Sequence, residues 1–509
     1  MRGIQRVEHA KDQALAGGTI YRHRRKIIRM TSTTEGGARS ELQMTPEEML
    51  ALAQRAAELI VARIENLPNE PAWRGGSRSE LELIMREDAP EEGRSAEEVL
   101  ERAATEILPV AGRVDHPRFF AFVPSSPTWP GVLADFMAAG YNIFQGTWLG
   151  ASGPSQLEVV VLDWFRDWIS YPETAGGVLT SGGSAASLDA FVVAREDAGA
   201  PERATVYMSD QSHTALSRAA TIVGVRPECV RKVKSDQHFR LDMDDLARMI
   251  DEDRAAGFTP IAVCGNAGTT NTGAVDPLDA MADYCEAQGI WYHIDAAYGG
   301  FAVLSEHGKS LLEGMERADS IAMDAHKWLF QPFEVGCLMM KDVRKLEAAF
   351  SVHPEYLQDT QWGADHPNFG DRGLQLSRSF RALKIWMSIQ TFGMAAFRRA
   401  VSRGIELAAQ AEAYVRESNV LEIANPASLG IVCFRINPSG SDFSDDRLEQ
   451  VNQAVQARVI ESQVAMMSST RLRGLYSLRL CILNHTTTWD DVRDTLDAIA
   501  KFGLEALSE

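Results

Sequence analysis

The sequence predicts an α/β fold with a mainly parallel sheet, preceded by a helical arm and followed by a smaller α+β unit. Short runs rich in β-branched residues alternate with helical patterns through the middle of the chain. Of the 509 residues, 45% are hydrophobic and 24% are charged, which is typical of a chain with a sizeable core. From about residue 397 the alternation gives way to a long helical pattern and two isolated strand patterns.

Composition narrows the class of protein. No apolar stretch reaches the roughly 18 residues that a transmembrane helix needs, so we expect no membrane partner. The net charge of −19 argues against a general nucleic-acid binder. The six cysteines are scattered without a Cys-x-x-Cys pair, which favours reduced thiols in a cytoplasmic protein over a disulfide framework.

Residues 1–44 are predicted to form a disordered extension. The basic run from Tyr21 to Lys26 has no apolar segment behind it, which argues against a secretory signal. A nucleic-acid-binding arm is one alternative. Another is an extension upstream of a later start at Met30 or Met44.

Residues 45–128 are predicted to form the helical arm. Thr45-Pro46-Glu47-Glu48 has the pattern of a capping box at a helix start. A stripe of apolar residues at helical spacing follows and ends near Pro68, and a second helix is expected over 96–108. The apolar face of these helices needs a partner surface, so we expect a homodimer.

Residues 129–395 are predicted to form the large domain and residues 396–509 the small one. The strands expected in the large domain are 177–180, 205–208, 230–233, 261–264, 290–294, 321–323 and 335–340. In the small domain, strands are expected at 430–436 and 476–482, around a helix near 448–460.

Chemically useful side chains follow two of the expected strands. Asp295 ends one strand, where a parallel sheet opens its ligand crevice, although a cap on the next turn is an alternative. His293 lies two residues earlier on the same strand face, which would also fit a pair of metal ligands. Lys327 stands between His326 and Trp328 just after another strand, and a lysine is costly to bury there unless it is used.

The segment from Thr180 to Ser184 joins a strand to a helix through two glycines. Such a turn lets backbone N–H groups approach a phosphate. No Gly-Lys-Ser/Thr sequence is present, so a nucleotide P-loop is excluded. A phosphate loop, an aspartate and a lysine in this order fit pyridoxal phosphate, which needs a lysine for a covalent link and a carboxylate for its ring nitrogen.

Several motifs carry a family resemblance that extends from about residue 45 to the end. They are His116-Pro-Arg-Phe-Phe-Ala-Phe122, Ser209-Asp-Gln-Ser-His213, Gly268-Thr-Thr270, His293-Ile-Asp-Ala-Ala-Tyr298, His326-Lys-Trp-Leu329 and Phe380-Arg-Ala-Leu-Lys384. With them the chain resembles the group II pyridoxal-phosphate decarboxylases, especially the aromatic-L-amino-acid decarboxylases. The resemblance implies the type I fold of pyridoxal-phosphate enzymes, as in aspartate aminotransferase.

The resemblance also implies roles for the catalytic residues. Lys327 would hold the cofactor covalently, and Asp295 would pair with its ring nitrogen. His213 would stack on one face of the ring, and Ala297 would pack on the other.

Further cofactor contacts are implied around the phosphate. Gly183, Ser184 and Ser320 would bind it, and His326 would lie close by. Asn266 would hydrogen-bond near the cofactor, at a position that is often threonine in the family. Asp324 stands where the family often has asparagine, and a carboxylate there would repel the phosphate.

The resemblance implies the substrate-binding residues less directly. Phe122 and Pro124 would line the substrate pocket. A mobile loop, about 352–373, would close over the neighbouring subunit's site and supply a proton from a tyrosine. An ungapped count places that position at Phe369, whereas Tyr356 is the only tyrosine in the loop.

The function implied is decarboxylation of an L-amino acid, with an aromatic one favoured, to the amine and CO2. A phenylalanine at the proton-donor position would instead favour oxidative deamination to an aldehyde. An aliphatic or acidic substrate also stays open. Two other classes are a metal-dependent hydrolase built on His293, Asp295 and His326, and a protein that binds the cofactor without turnover. We expect no metal.

Overall fold

The computed structural model describes residues 40–351, 355, 362–363 and 365–508. Contacts between Cα atoms divide the chain into two units, residues 1–58 and residues 59–509. In the first unit, Thr45 Oγ1 accepts from the backbone N–H of Glu48 at 3.1 Å, and Glu48 Oε2 accepts from that of Thr45 at 2.7 Å. This confirms the predicted capping box, which starts helix α1, Pro46–Asn66.

Further helices precede the sheet in the chain. They are α2 (Arg78–Met85), α3 (Ala96–Arg102), α4 (Trp129–Gly140) and α5 (Trp148–Trp168). The helix expected over 96–108 is α3 followed by a π-helical turn, Ala103–Ile107. Large apolar residues of these helices are exposed, among them Leu83 of α2, Val99 of α3 and Phe136 of α4.

The large sheet has seven strands in the order β1-β7-β6-β5-β4-β2-β3. Their bounds are β1 (Gly176–Thr180), β2 (Ala204–Ser209), β3 (Val230–Val233), β4 (Thr259–Asn266), β5 (Trp291–Ala296), β6 (Ser320–Asp324) and β7 (Gly336–Met340). Strands β3, β2, β4, β5 and β6 are parallel, while β7 runs antiparallel to both β6 and β1. The predicted α/β class with a mainly parallel sheet is therefore confirmed.

Helices connect these strands. They are α6 (Gly183–Asp197), α7 (Thr214–Ile222), α8 (Met243–Ala255), α9 (Leu278–Gln288), α10 (Glu306–Leu311), α11 (Ala325–Trp328) and α12 (Val343–Phe350). Six of the strands are largely apolar and buried, as expected for a sheet covered on both faces, whereas the edge strand β3 contains Arg231 and the exposed Lys232. The carboxyl ends of β4, β5 and β6 consequently meet at one edge.

A long helix, α13 (Ala382–Glu417), leads to a four-stranded antiparallel sheet in the order β10-β11-β9-β8. Its strands are β8 (Leu421–Ser428), β9 (Ile431–Ile436), β10 (Ser468–Leu472) and β11 (Leu475–Cys481), with helices α14 (Asp445–Glu461) and α15 (Trp489–Ser508). Strands β9 and β11 and helix α14 confirm the sequence prediction, whereas β8 and β10 were not predicted. Because α13 runs through residue 396, the domain boundary there stays a prediction.

In the described part of the chain, the largest apolar cluster surrounds the seven-stranded sheet, a smaller one lies between β9, β11, α14 and α15, and a third contains Ala72, Phe119 and Ala121. The small sheet thus has its own interior. Among the described residues, every helix is either too short or too polar to cross a membrane.

Candidate cofactor site

Three polar residues stand side by side where parallel strands end. Asn266 ends β4 and lies opposite Asp295 of β5, while Asp324 ends β6. They form the floor of a cavity of about 600 Å³. This is the position where open α/β sheets bind ligands.

Most cofactor residues predicted from the sequence line this one cavity. They are Gly183, Ser184, His213, Asn266, Asp295, Ala297, His326 and Lys327. Five different connections of the fold supply them, so their convergence could not arise from local sequence alone. The placement supports the predicted cofactor site.

Lys327 lies on the single turn α11 directly after β6. Its Nζ is 2.9 Å from Oδ2 of Asp324, and its backbone carbonyl accepts a hydrogen bond from Ser125 Oγ. Asp324 is almost fully buried, so this ion pair is shielded from water. The lysine is thereby held on the floor of the cavity instead of extending into solvent.

Asp295 stands one strand away from this ion pair. Its Oδ1 accepts a hydrogen bond from the backbone N–H of Ala297 at 3.1 Å. Burial raises the pKa of Asp295, and the nearby positive charge of Lys327 opposes that rise. A cationic group in the cavity would therefore be a favourable partner for this carboxylate.

The glycine turn between β1 and α6 comes very close to the end of β5. A Cβ added to Gly183 would lie 2.8 Å from Cβ of Ala297, so a larger residue does not fit. Gly183 is also the first residue of α6, whose free N–H groups carry the positive end of the helix dipole. The turn therefore suits the close approach of a phosphate group.

His213 is the N-cap of α7, and its Nδ1 accepts from the backbone N–H of Ala215 at 3.2 Å. An accepting Nδ1 carries no proton, which leaves the other ring nitrogen, Nε2, to carry it in the neutral form. This orients the imidazole at the cavity wall, as a ring that stacks on a cofactor requires.

Asn266 has both donors of its side-chain amide engaged. Its Nδ2 donates to Ser212 Oγ at 3.0 Å and to Asp276 Oδ2 at 2.7 Å. Asp276 is fully buried, and burial raises its pKa to about 6. Asn266 can therefore offer the cavity only its carbonyl oxygen, which accepts hydrogen bonds.

Ser320 does not reach the cavity, so its predicted contact with the phosphate is wrong. It begins β6, whereas Asp324 ends that strand. At about 3.3 Å per residue, the strand separates the two by more than 10 Å. The Ser320 hydroxyl instead hydrogen-bonds with Trp291 Nε1 and His293 Nδ1, both at 2.9 Å, in the core below the sheet edge.

The alternative of a metal site is not supported either, because its three residues do not come together. His293 is fully buried beside Ser320, and burial lowers its pKa to about 3. His326 and Asp295 line the cavity instead. Within the described residues, no group of three or more His, Cys, Asp or Glu is arranged to hold a metal ion.

Phe369 does not line the cavity of its own chain, and its predicted place on a loop that closes over the neighbouring subunit's site stays a prediction. Its side chain is fully buried in the main core, and its ring lies 5.1 Å from the guanidinium carbons of both Arg372 and Arg378. Tyr356, the other residue predicted on this loop, lies outside the described residues and also stays a prediction.

Phe122 and Pro124 belong to the segment that supports the lysine turn, since Ser125 of that segment contacts Lys327. Neither side chain lines the cavity of the single chain. Phe122 is 62% exposed. Their predicted contact with substrate stays a prediction.

Sequence reasoning missed several groups at or near the site. Tyr298 and Phe333 add aromatic surface to the cavity. Arg479 of β11 is buried and donates to Phe122 O at 2.8 Å and Asn271 O at 3.2 Å, while its Nη2 has no hydrogen-bond partner. A charged residue within an apolar strand pattern was the available signal for Arg479.

These residues fit pyridoxal phosphate. A lysine and a carboxylate face one cavity, a glycine turn leaves room for a phosphate, and Asp324 Oδ1 is a buried oxygen without a partner. Fold and site therefore define a pyridoxal-phosphate-dependent enzyme with the type I fold.

Comparison with known proteins identifies the family. Residues 79–437 match the pyridoxal-dependent decarboxylase conserved domain. The chain is 39% identical to an aromatic-L-amino-acid decarboxylase of Bacillus atrophaeus over 454 residues, which cover 89% of this chain and 94% of the relative. The chain belongs to the pyridoxal-dependent decarboxylase family.

Two further similarities show the breadth of this family. The chain is 30% identical to a phenylacetaldehyde synthase of Petunia hybrida over 459 residues, covering 86% of this chain and 91% of the relative. The crystal structure of Catharanthus roseus tryptophan decarboxylase in complex with L-tryptophan superposes with a TM-score of 0.85 at 28% identity. It covers 91% of this chain and 99% of that one.

Proposed function

We propose that this enzyme decarboxylates an aromatic L-amino acid to the corresponding amine and CO2. The observation that carries the proposal is the meeting of Lys327, Asp295, His213 and the glycine turn in one cavity. Membership of the decarboxylase family defines the reaction class. The aromatic substrate is supported by the names of the similar proteins and by the aromatic walls of the cavity.

The residues of the chain divide the chemistry between them. When bound, pyridoxal phosphate supplies a protonated ring that draws in the electron pair left at Cα after CO2 departs. Lys327 would hold the cofactor covalently, and its amine would be released when the substrate amine takes its place. Asp295 would keep the ring nitrogen protonated, because a positive charge nearby stabilises its ionised carboxylate.

The walls of the cavity assist the loss of the substrate carboxylate. Tyr298 and Phe333 present apolar surface, and Ala297 packs against the glycine turn. A carboxylate placed against such surface loses hydration, which favours its departure as neutral CO2. Tyr356 is the proposed acid that protonates Cα afterwards.

The proposed product is the amine and not the aldehyde. The aldehyde alternative depends on Phe369 at the proton-donor position, and the burial of that side chain in the core of its own chain supports the amine instead. The similarity to phenylacetaldehyde synthase keeps aldehyde formation as the second candidate. The two outcomes differ in stoichiometry, since the aldehyde route consumes O2 and releases ammonia and peroxide.

The test is a panel of L-amino acids assayed for CO2, amine, aldehyde and peroxide under air. We expect CO2 and amine in equal amounts from at least one aromatic amino acid, with no peroxide. Borohydride reduction followed by peptide mapping should place the pyridoxyl group on Lys327. A label on another lysine would contradict the assigned site, and turnover confined to glutamate or aliphatic amino acids would contradict the proposed substrate.

We also propose a homodimer in a reducing compartment such as the cytoplasm. Large apolar side chains are exposed on α2, α3 and α4, and exposed apolar surface of this extent favours a protein interface. The cavity itself is bordered by Phe333, which is 59% exposed. All six cysteines are buried free thiols, which supports a reducing environment.

A further inference from the structure

Asp324 is a buried carboxylate in the cofactor cavity that the reaction does not use. Its Oδ2 lies 2.9 Å from Lys327 Nζ and 3.6 Å from His326 Nε2. Its Oδ1 is buried and has no hydrogen-bond partner. An unpaired buried carboxylate oxygen is costly, so a hydrogen-bond donor is expected beside it once the cavity is filled.

The phosphate turn provides the place for that donor. A Cβ added to Gly183 would lie 3.4 Å from Asp324 Oδ2 and 3.6 Å from Oδ1, and one added to Gly182 would lie 3.8 Å from Oδ1. The carboxylate therefore stands against the same two glycines that leave room for the phosphate. On its other side, a Cβ on Gly336 would lie 2.7 Å from Oδ1, which leaves no space for another side chain.

The charges around Asp324 are not positive enough to neutralise a second anion in the cavity. Among the described residues that line the cavity, Lys327 is the only lysine or arginine, and Asp295 and Glu334 add negative charge. Burial lowers the pKa of His326, which favours its neutral form.

The other titratable groups facing Asp324 do not change this balance. Cys337 of β7 lies close enough to Asp324 for an electrostatic interaction, and Lys384 of α13 interacts in the same way with His326. His213 lines the same cavity from the start of α7. The Nζ of Lys384 is already paired with Asp135 at 2.8 Å. A dianionic phosphate would therefore meet a carboxylate without a free cation between them.

We propose that Asp324 Oδ1 and the cofactor's phosphate share one proton, so that cofactor binding takes up a proton from solvent. The inference rests on the pyridoxal-phosphate assignment. A free phosphate monoester has its second pKa near 6 and is largely dianionic at about pH 8. The carboxylate and the dianion together gain one proton, and this step, which is separate from the covalent link at Lys327, forms one O–H bond.

Proton uptake fixes the sign of the pH dependence. Because the complex holds one more proton than its separate components, affinity falls as pH rises, by about tenfold per pH unit at full uptake. Asp324→Asn supplies a neutral donor instead of the carboxylate, which removes both the repulsion and the uptake.

The test compares cofactor-free wild type, Asp324→Asn and Glu334→Gln across pH 6.5 to 9. Each is titrated with pyridoxal phosphate and, separately, with pyridoxal, which lacks the phosphate. The ratio of the two dissociation constants isolates the phosphate contribution from that of the covalent link. Glu334→Gln is the matched control, because its carboxylate borders the cavity but pairs with Arg381 at 3.0 Å.

We expect the phosphate contribution to weaken about tenfold per pH unit in wild type and in Glu334→Gln, and to be flat in Asp324→Asn. Phosphorus NMR of the bound cofactor at pH 8 should report a protonated phosphate in wild type, and this decides the question even if Asp324→Asn does not fold. A dianionic phosphate in wild type, or the same slope in Asp324→Asn, would overturn the inference. If neither aldehyde binds at Lys327, the cofactor assignment itself fails, which is a separate result.

Discussion

Asp295 is the carboxylate that is proposed to keep the cofactor's ring nitrogen protonated. Its pKa is raised by burial, so its ionised form depends on a positive charge nearby. Asp295→Asn should lower turnover by about 100-fold or more, which corresponds to about 2.7 kcal/mol in the barrier. Steady-state CO2 release measures this effect, and near-normal turnover would contradict the assigned role.

A cofactor analogue makes the Asp295 prediction sharper. N-methyl pyridoxal phosphate has a fixed positive charge on its ring nitrogen and needs no carboxylate to keep it. We expect the analogue to restore part of the turnover lost in Asp295→Asn. Asp279→Asn, at an exposed aspartate on α9, is the control and should resemble wild type with either cofactor.

Substitutions of Tyr356 and Phe369 are expected to have different effects on the reaction products. Tyr356→Phe removes the proposed proton donor, so aldehyde and peroxide should rise relative to amine. Phe369→Tyr should leave the product ratio unchanged, because Phe369 is fully buried in the core. It should instead lower the free energy of unfolding by about 1–3 kcal/mol, the usual cost of an unpaired buried hydroxyl. A shift in product ratio caused by Phe369→Tyr would contradict its assigned place.

Asp189 on α6 should make stability depend on pH. Burial raises its pKa to about 7 from 3.8, and its Oδ1 has no hydrogen-bond partner. The folded protein therefore binds this proton more tightly than the unfolded chain, and stability falls as pH rises from about 4 to about 7. Asp189→Asn should raise the free energy of unfolding at pH 8 by on the order of 2 kcal/mol more than at pH 5.

Denaturant titrations at the two pH values measure the Asp189 effect. Glu91→Gln, at an exposed carboxylate of the segment between α2 and α3, is the matched control. An equal stabilisation at both pH values would show that Asp189 is already ionised in the folded protein at pH 5.

Strand β1 lies at the edge of the large sheet, and a buried ion pair completes its hydrogen bonding. Glu158 Oε1 accepts from the backbone N–H of Leu179 at 2.8 Å, and Arg378 Nη2 donates to the carbonyl of Leu179 at 2.7 Å. Arg378 Nη2 lies 2.6 Å from Glu158 Oε1, and both side chains are almost fully buried. The pair therefore holds the strand that leads directly into the phosphate turn.

Breaking this pair should affect both stability and cofactor binding. Arg378→Met leaves the Glu158 charge buried and unpaired, which should lower the free energy of unfolding by about 3–5 kcal/mol. Cofactor affinity should fall as well, since the phosphate turn loses its support. Denaturant titration and cofactor titration measure the two effects. Arg86→Met, at an exposed pair with Glu82, should cost about 1 kcal/mol or less.

Strands differed in how well the sequence predicted them, and burial explains why. Six of the seven strands of the large sheet are largely buried, so each appears as an apolar run, whereas the edge strand β3 is only partly buried. Strand β8 is interrupted by register shifts around Asn425, and β10 begins with Ser468 and Ser469. Their strand structure depends on pairing with neighbours, which no local pattern records.

The residues of the cofactor site also differ in how well the sequence predicted them. Lys327 and Asp295 were predictable because each directly follows or ends a strand at the carboxyl edge of the sheet. Ser320 was misplaced because a residue close in sequence to Lys327 lies at the far end of β6. Arg479 was missed because its partners, Phe122 and Asn271, are hundreds of residues away along the chain.

The whole molecule leaves apolar surface that a single copy does not cover. Phe136 and Tyr141, on and just after α4, are 65% and 76% exposed. Phe122 and Phe333 are also exposed, and Phe333 belongs to the wall of the cofactor cavity. A second copy of the chain that covers this surface would also close the cavity to water.

If the protein is a homodimer, we expect twice the chain mass and an active site shared between the two copies. Sedimentation at micromolar concentration should give twice the chain mass of 56.0 kDa. Phe136→Glu should weaken the dimer because it would bury an unpaired charge at the interface, whereas Leu504→Glu, at a similarly exposed residue of α15, should not. If the loop of one copy serves the other, mixing Lys327→Ala with Tyr356→Phe should restore amine formation that neither variant shows alone. A fully active monomer at nanomolar concentration, or no recovery after subunit exchange is verified, would contradict a shared site.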